Sequence, residues 1–245
     1  MIIEVLFPEV ANLYGDLGNI EYISRSLEAA GKECEIINTD LYTRPAFADR
    51  DDIDLIYMGP VTEKGQIRVI DSLMPYKERL AQLIKDGQRF FMTGNAVEAL
   101  GEYIECEEGG DKIECLGLFP FMTKQRMMAR TSSFWVGQYE GLDVVGYKSQ
   151  FTHIYPNDET AVTSLFTTEK GEGLNPGFSG EGIKENNFAG TYLLGPLFVL
   201  NPLLLKKFLE DLGCEGCAPL FEEAAMEAYR KRLDEYREPG RNYKY

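Results

Sequence analysis

The sequence predicts an α/β fold with a doubly wound, mostly parallel sheet and helices on both faces. Apolar runs of strand length alternate with helical patterns over the first hundred residues, as they do in right-handed βαβ units. The runs at 2–7, 55–58 and 90–92 are rich in Ile, Leu, Met and Phe, which is typical of strands buried on both faces. We expect these three strands at the centre of the sheet.

Turn and cap residues place the boundaries of the first elements. Asn19 fits the N-cap of a helix over 20–30, and Gly31 stops that helix. A helical pattern over 66–85 is interrupted at Pro75. The other predictions for this half are a strand at 33–38 and a polar connection at 39–52.

The stretch from 89 to 101 holds the turn around which the chain is organised. An apolar run ends at Thr93, small residues follow, and a periodic apolar pattern predicts a helix up to Gly101. A tight turn between a buried strand and a helix raises one side chain and several N–H groups above the carboxyl edge of the sheet, and it often holds a nucleophile. Here that place is taken by Gly94, which has no side chain to react.

After residue 101 the pattern changes to shorter strands separated by Gly, Asp and Pro. We expect a surface loop at the glycine-rich segment 171–182, with a ligand-binding loop as the alternative. An amphipathic helix is predicted at 220–237 and a polar tail at 238–245. Without repeats or a clear linker, we expect one domain over 1–245. The other predicted elements are strands at 116–121, 126–131, 143–147 and 188–194, and a helix at 203–212.

The charge of the chain excludes some classes of partner. The formal net charge is −15, which argues against binding to nucleic acid and to anionic membrane surfaces. The sequence has neither a basic-plus-apolar signal segment nor an apolar run of 18 residues. We therefore predict a cytoplasmic protein without membrane insertion.

The five cysteines are spread over a long chain, so we expect no disulfide framework. Cys214 and Cys217 have the spacing of a metal-binding or redox pair, but a second pair is absent and the chain has one histidine. The simpler interpretation is a loop after a helix. We expect neither a metal nor a cofactor.

Three stretches, at 12–19, 94–101 and 190–202, carry a family resemblance. The first reads Asn-Leu-Tyr-Gly-Asp-Leu-Gly-Asn, and the last begins Gly-Thr-Tyr-Leu-Leu-Gly-Pro and ends Asn-Pro. Both resemble segments of cobyric-acid-synthase-type glutamine amidotransferases, the last one Gly-Thr-Tyr-x-His-Gly-Pro followed by Asn-Pro. The middle stretch matches Cys-Gly-Gly-Tyr-Gln-x-Leu-Gly in length and in its final Leu-Gly. The resemblance is closest to the glutaminase subunits of lipid II isoglutaminyl synthases.

The resemblance implies a class I glutamine amidotransferase fold, which is flavodoxin-like, and a reaction. In the family, a Cys attacks the side-chain amide of glutamine, a His acts as base and acid, and backbone N–H groups hold the oxyanion. Ammonia then passes to a partner. The resemblance therefore also implies a Mur-ligase-like or other ATP-dependent ligase subunit as a partner.

At the matching positions this sequence departs from the family. The nucleophile position is Gly94 and the base position is Leu194. The oxyanion loop after the third strand reads Gly59-Pro60-Val61, and Pro60 has no N–H to donate. Two further family residues are replaced: a Gln after the turn by Glu98, and a later His by Gln150.

Other side chains near the turn are candidates for a pocket or for a replacement nucleophile. A threonine nucleophile needs an adjacent base, and the nearest side chains in sequence to Thr93 are Asn95 and Glu98. We interpret Cys106 and Cys115 as buried or bystander thiols, and His153 as a loop or solvent-exposed histidine. The pocket candidates are Thr93, Asn95, Glu98, Gln150 and Tyr192.

Three hypotheses follow. The first is a glutaminase-fold protein that has lost glutaminase chemistry and acts as a non-catalytic binding or partner subunit. The second is an active glutamine amidotransferase that supplies ammonia to a partner ligase, in cobalamin-type or cell-wall precursor amidation. The third is an enzyme of unrelated chemistry that uses the same cleft.

Overall fold

The computed structural model describes residues 1–158 and 160–240, so the last five residues of the predicted polar tail lie outside it. In chain order, the strands are β1 Ile2–Leu6, β2 Glu35–Thr39, β3 Leu55–Met58, β4 Phe90–Thr93, β5 Tyr103–Cys106, β6 Ile113–Glu114, β7 Phe121–Gln125, β8 Thr131–Tyr139, β9 Leu142–Gln150, β10 Thr152–Pro156, β11 Phe166–Lys170, β12 Gly180–Glu181, β13 Ile183–Glu185 and β14 Phe188–Thr191. The α-helices are α1 Gly18–Ala29, α2 Glu63–Leu73, α3 Lys77–Lys85, α4 Leu197–Leu200, α5 Pro202–Asp211 and α6 Glu222–Arg237. Four 3-10 turns lie at Leu13–Gly15, Ala46–Ala48, Met74–Tyr76 and Gly94–Leu100.

The central sheet has six strands in the order β13-β14-β4-β3-β1-β2. All neighbours in it are parallel except β13 and β14, which form an antiparallel edge. The three strands predicted at the centre, β1, β3 and β4, lie inside the sheet. The predicted doubly wound, mostly parallel fold is confirmed.

Both faces of the central sheet are covered, and alternate residues of its inner strands pack into different cores. In β3, Ile56 packs into one core and Tyr57 into the other; in β4, Phe90 and Phe91 divide in the same way. Helices α2 and α3 cover the first face with Val69, Leu73, Leu80 and Ile84. Helices α1 and α5 cover the second with Ile23, Leu27, Leu205 and Leu209. This two-sided burial accounts for the apolar composition of the central strands.

Two smaller four-stranded sheets flank the central one, in the orders β10-β7-β5-β6 and β12-β11-β8-β9. The long hairpin β8–β9 is covered by α6, through Val136 and Val145 of the hairpin and Tyr229 and Leu233 of the helix. An isolated β-bridge between Tyr147 of β9 and Leu194 ties this hairpin to the chain just after β14. No helix in the described part of the chain is both long and apolar enough to cross a bilayer.

Several predicted boundaries are wrong. Helix α1 begins at Gly18 and its N-cap is Leu17, so Asn19 lies inside the helix and its side chain has another use, described below. The helix predicted after Gly94 is a 3-10 turn over seven residues. Strand β14 ends at Thr191, three residues before the predicted end at Leu194.

The second half of the chain differs most from the prediction. Most of 116–121 and nearly all of 126–131 is loop or turn, and the strands lie beside them, in β7 and β8. The predicted strand at 143–147 is the middle of β9. Strands β5, β6, β10, β11, β12 and β13 were not predicted. The glycine-rich segment 171–182 is not simply a surface loop, since Leu174 and Asn175 are buried and Asn175 Nδ2 donates to the carbonyl of Ile154 over 2.8 Å.

Candidate functional site

Gly94 lies directly after β4, at the carboxyl edge of the central sheet, with a left-handed backbone (φ +59°). A Cβ built on it would lie 2.5 Å from Cβ of Pro60 and 3.2 Å from Cδ2 of Leu194. The first distance is far inside van der Waals contact, and the φ value disfavours any side chain. Pro60 and Leu194 therefore fill the space that a side chain at position 94 would enter.

Leu194 reaches Gly94 from the other side of the cleft. Its N–H donates to the carbonyl of Tyr147 over 2.8 Å, and this bond fixes the backbone after β14. The side chain is buried, with 4% of its surface exposed. An aliphatic side chain in this place can fill space but cannot carry a proton.

The loop after β3 is held by hydrogen bonds that use its own polar groups. The N–H of Val61 donates to Oδ1 of Asn95 over 3.0 Å, and Nδ2 of Asn95 donates back to the carbonyl of Val61 over 3.0 Å. The carbonyl of Pro60 accepts from the N–H of Leu13 over 3.2 Å. Gly59 lies at the start of this loop, against the carbonyl oxygen of Ala11. Since Pro60 lacks an N–H and that of Val61 is engaged, neither can donate to a bound oxyanion in this arrangement.

A cavity of about 40 Å³ remains next to Gly94. Its volume suits one or two water molecules, whereas pockets for small-molecule ligands span roughly 300–1,000 Å³. The pocket candidates Asn95, Gln150 and Tyr192 line it, together with Pro60, Leu194 and the 149–152 segment. Nε2 of Gln150 is turned away to the carbonyl of Thr152, over 2.6 Å.

Glu98 lies behind the cavity and is fully buried. Its carboxylate accepts hydrogen bonds from Tyr192 (2.7 Å), Gln66 (2.8 Å) and Thr152. Burial raises the pKa of Glu98 to about 7, although the three hydrogen bonds act in the opposite direction. These bonds use the carboxylate to join the turn after Gly94 to α2, β10 and the end of β14.

Asp16 is a buried acidic residue beside Thr93 that the sequence did not suggest as a candidate site residue. It is buried at the carboxyl edge of the sheet, and its carboxylate accepts from Thr93 (2.5 Å), Asn19 (3.3 Å) and Tyr57. Burial raises the pKa of Asp16 to about 6, against the lowering effect of those bonds. The side chains nearest to Thr93 in sequence were Asn95 and Glu98, but the Thr93 hydroxyl donates to Asp16 instead. The signal available in the sequence was an acidic residue in the loop after β1, which ends at the same sheet edge.

The threonine and aspartate form a pair of the kind a nucleophile needs, but they are closed off. Thr93 and Asp16 each have 0% of their surface exposed, and so does Tyr57, which also lies against both. A substrate cannot reach the Thr93 hydroxyl in this arrangement. The geometry therefore gives Thr93 and Asp16 a packing role.

A second buried ionic group lies beyond Tyr192. Nζ of Lys148 contacts Oε2 of Glu181 at 2.5 Å and donates to the carbonyls of Glu172 and Gly173 over 2.9 and 2.6 Å.

The interpretation of His153 as a loop or solvent-exposed residue is wrong, because it lies in β10 with 7% of its surface exposed and its Nε2 is 2.6 Å from Oε1 of Glu172.

None of the five cysteines lines the cavity next to Gly94. Cys115 is buried, and burial raises the pKa of its thiol to about 12, so it is not a thiolate at neutral pH. Cys106 is half-buried and its Sγ donates to Oε2 of Glu108 over 3.3 Å. Cys214 and Cys217 form a disulfide within a four-residue segment that was expected to be a plain loop.

The segments 12–19 and 190–202 meet next to the site. A Cβ on Gly18 would lie 2.6 Å from Cγ of Pro196, so this close approach requires glycine. Oδ1 of Asn19 accepts a hydrogen bond from the N–H of Phe198 over 2.9 Å. The Asn19 side chain therefore bonds a distant segment and does not cap helix α1. Asn201, at the end of the second segment, is fully buried; it accepts from the N–H of Val145 over 2.8 Å and donates to its carbonyl over 2.7 Å.

Comparison with known proteins gives relatives over nearly the whole chain. The chain is 25% identical over 230 residues to subunit GatD of lipid II isoglutaminyl synthase (glutamine-hydrolyzing) from Staphylococcus aureus, covering 91% of this chain and 90% of that protein. It is 23% identical over 242 residues to the subunit of the same name from Streptococcus pneumoniae, covering 91% and 88%. No family model matches the chain.

Solved structures agree on the fold. A glutamine amidotransferase structure aligns with a TM-score of 0.54 at 14% identity, over 86% of this chain and 98% of that one. A second glutamine amidotransferase, from Thermotoga maritima, aligns with a TM-score of 0.51 at 12% identity, over 94% and 92%. The chain thus has the fold of glutamine amidotransferases and resembles the glutaminase subunits of lipid II isoglutaminyl synthases, as the sequence motifs predicted.

Proposed function

We propose that this chain, built on the glutamine amidotransferase fold, is a subunit that has lost glutamine hydrolysis and serves as a binding or partner subunit. One observation carries the proposal: Pro60 and Leu194 occupy the space into which a nucleophilic side chain at Gly94 would project. The resemblance assigns the nucleophile to this position, and the residue there is a glycine. The neighbours have closed over it.

The chemistry needs three parts that act as a unit, and none of them is available at these positions. Gly94 offers no thiol, and Leu194 no base. The N–H of Val61 is bound to Asn95 over 3.0 Å, which leaves the loop after β3 without a free donor at that residue. One oxyanion donor alone is worth about 2.7–4 kcal/mol of the barrier. Loss of all three parts together is expected to leave no catalysis above background.

The small size of the cavity beside Gly94 also supports the proposed loss of glutamine hydrolysis. A glutamine side chain has to enter the site before its amide can be attacked, and the cavity beside Gly94 measures about 40 Å³. The hydrogen bonds between Asn95 and Val61, and between Leu13 and Pro60, tie the walls of this cavity together. Opening it would break several of these bonds at once.

A partner is proposed because both relatives are named as subunits of a synthase. We infer that the partner is a Mur-ligase-like or other ATP-dependent ligase subunit. In such a complex this chain would supply a docking surface and stability, and ammonia would come from elsewhere. We place this complex in the cytoplasm.

The alternative is an active glutamine amidotransferase that supplies ammonia for cell-wall precursor or cobalamin-type amidation. The names of the relatives, which include glutamine hydrolysis, favour it. So does the hydrogen bond of 2.5 Å from Thr93 to Asp16, since this pair has the chemistry of a nucleophile and its base. Complete burial of both residues weighs against it.

The test is release of ammonia from glutamine by the purified chain, alone and together with a co-expressed ligase subunit. We expect no release above a heat-killed sample in either case. Gly94→Cys with Leu194→His is expected to stay inactive, because Pro60 still fills the site and Val61 still bonds Asn95. Adding Pro60→Gly to this pair removes the obstructing Cβ and restores an N–H, and it is the variant from which activity is expected first.

Release of ammonia by the unmodified chain would overturn the proposal. Thr93→Val then tests whether Thr93 is the nucleophile, because valine keeps the shape of threonine and removes its hydroxyl. Co-purification tests the partner separately: a ligase subunit that binds while ammonia release stays at background supports a non-catalytic subunit. If no ligase subunit binds, the inferred partner is wrong and the loss of hydrolysis still stands.

A further inference from the structure

A second cavity lies at the opposite edge of the central sheet, at the amino ends of β4 and β14. It measures about 260 Å³ and is bounded by these strands, α5 and the turn between β8 and β9. β4 separates it from Gly94, since Phe90 and Phe91 at the start of the strand line the cavity and Gly94 follows its end. We call it the amino-end cavity.

The inner walls of the amino-end cavity are aromatic and aliphatic. Phe91, Phe198 and Phe208 pack against one another, with ring centroids 4.7–5.6 Å apart. Leu165 and Ala189 also line it. An engineered apolar cavity of about 150 Å³ holds benzene, so the amino-end cavity has room for a body of one or two rings.

The rim of the amino-end cavity carries three cations, Arg89, Lys184 and Lys207, and two carboxylates, Glu140 and Asp211. The rim thus bears one net positive charge on a chain whose net charge is −15. Such a local reversal of sign attracts anions to one place on the surface.

The carboxylate of Glu140 already occupies an anion position between the two lysines. Its Oε1 lies 3.0 Å from Nζ of Lys184, and its Oε2 lies 4.0 Å from Nζ of Lys207. Glu140 is about half exposed and lies on the β8–β9 turn with φ +49°. An exposed side chain on a turn can leave this position at little cost. An incoming anion would then meet Nζ of Lys184 and also Nζ of Lys207, which keeps its ion pair with Asp211.

We propose that the amino-end cavity binds a small aromatic anion, with its one- or two-ring body among the phenylalanines and a carboxylate or phosphate between Lys184 and Lys207. Displacement of the Glu140 carboxylate accompanies binding. The proposal does not depend on whether the Gly94 position is catalytic, because it uses different residues at the other edge of the sheet.

Calorimetric titration with three probes tests the chemistry. 1-Naphthoate and 1-naphthyl phosphate carry the two candidate anions, and 1-naphthol carries the same rings without a charge at pH 7. We expect the anions to bind about tenfold more tightly than 1-naphthol, since hydrogen bonds to charged groups outweigh neutral ones. The tighter of the two anions identifies the group that the lysines prefer. Equal affinity for 1-naphthol and both anions, or no binding of either anion at millimolar concentration, overturns the proposal.

Surface variants locate the site without threatening the fold. Lys184→Gln and Lys207→Gln should each weaken the anions by about fivefold, a modest effect because both lysines are one-third exposed. Lys206→Gln is the matched control, since Lys206 is on the same helix but does not line the cavity and lies near Glu222 instead. Glu140→Gln should act in the opposite direction and tighten the anions.

Equal weakening by Lys206→Gln and Lys207→Gln would mean that only the overall charge matters, and would overturn the site. Failure of Glu140→Gln to tighten binding would overturn the displacement. Ala189→Leu narrows the cavity and should weaken all three probes, including 1-naphthol; if it does not fold, the four surface variants decide the question.

Discussion

The hydroxyl of Tyr192 donates to Oε1 of Glu98 over 2.7 Å, and this bond joins the end of β14 to the turn that follows Gly94. Both residues are fully buried. The carboxylate therefore holds together the two walls of the closed cleft from behind.

We expect the stability of the protein to fall as the pH rises through the range set by Glu98. The pKa of this carboxyl is about 7 in the folded protein, against an ordinary value of 4.5. Between these values the folded state binds more protons at Glu98 than the unfolded state does. The contribution of Glu98 to the free energy of unfolding is therefore complete below about pH 4.5 and is lost as the pH rises to about 7. At about 1.4 kcal/mol per pH unit, the loss due to Glu98 is about 3 kcal/mol.

Glu98→Gln tests this pH dependence, because glutamine cannot titrate. The free energy of unfolding in urea should change less between pH 4.5 and pH 8 in the variant than in the parent protein. Asp16, whose pKa is about 6, keeps some pH dependence of the same sign in both. Glu114→Gln, at an exposed position, is the control. Parallel pH profiles for parent and Glu98→Gln would contradict the prediction.

Gly94→Ala should destabilise the protein by about 3 kcal/mol, the sum of backbone strain at positive φ and overpacking against Pro60. Gly31→Ala separates the two costs. Gly31 has φ +74°, and a Cβ there would meet no atom of the described residues within 4 Å, so about 1 kcal/mol from strain alone is expected. Chemical denaturation gives both values.

A double-mutant cycle with Pro60→Gly extends this comparison. Removal of the proline ring should reduce the destabilisation caused by Gly94→Ala by more than about 0.5 kcal/mol. Mutations at distant, independent sites deviate from additivity by no more than about this amount. It should leave the cost of Gly31→Ala unchanged. Additive costs at positions 60 and 94 would show that the contact of 2.5 Å is relieved in some other way.

Asn201→Ala should cost about 2–3 kcal/mol, because it leaves the N–H and carbonyl of Val145 buried without their partner. The amide proton of Val145 should also exchange faster with solvent, as NMR can measure. Asn187→Ala removes one exposed hydrogen bond to the carbonyl of Gly87 and should cost under about 1 kcal/mol. Equal costs for the two variants would refute the buried role of Asn201.

Lys148→Met should cost about 3–5 kcal/mol, since it leaves Glu181 buried without its cation. Glu181→Gln introduced into the same chain should recover part of that loss, because no charge then remains unpaired. Lys112→Met breaks the half-exposed pair with Glu105 and should change stability by under about 1 kcal/mol. Thermal or urea unfolding distinguishes the two pairs, and no recovery in the double variant would exclude a charge effect.

The inner strands β1, β3 and β4 were predictable because strands covered on both faces must be apolar throughout. The second half was not, because β8 reads Thr-Ser-Ser-Phe-Trp-Val-Gly-Gln-Tyr and gains its burial from β9 and α6 rather than from its own composition. Asn19 has a local pattern typical of a cap, but its partner Phe198 is 179 residues away. No local signal reports such a partner.

For the candidate site, the family resemblance pointed to particular positions but could not say how the side chains around them pack. Gly94, Leu194 and Pro60 were singled out one by one, and contact among the three depends on how two loops fold against β4. The tie between Asn95 and Val61 is equally a property of folded loops. The burial of Thr93 against Asp16 could not be predicted from the sequence, because the two residues are 77 positions apart.

The contact of Gly18 with Pro196, and of Asn19 with Phe198, joins the two segments that most resemble the glutaminase subunits. Both contacts consist of packing and one backbone hydrogen bond, so they belong to the fold and do not involve the residue that follows β4. A resemblance in these two segments therefore reports the architecture of a chain. Assigning an activity to any chain that carries them requires a separate look at the residue after β4.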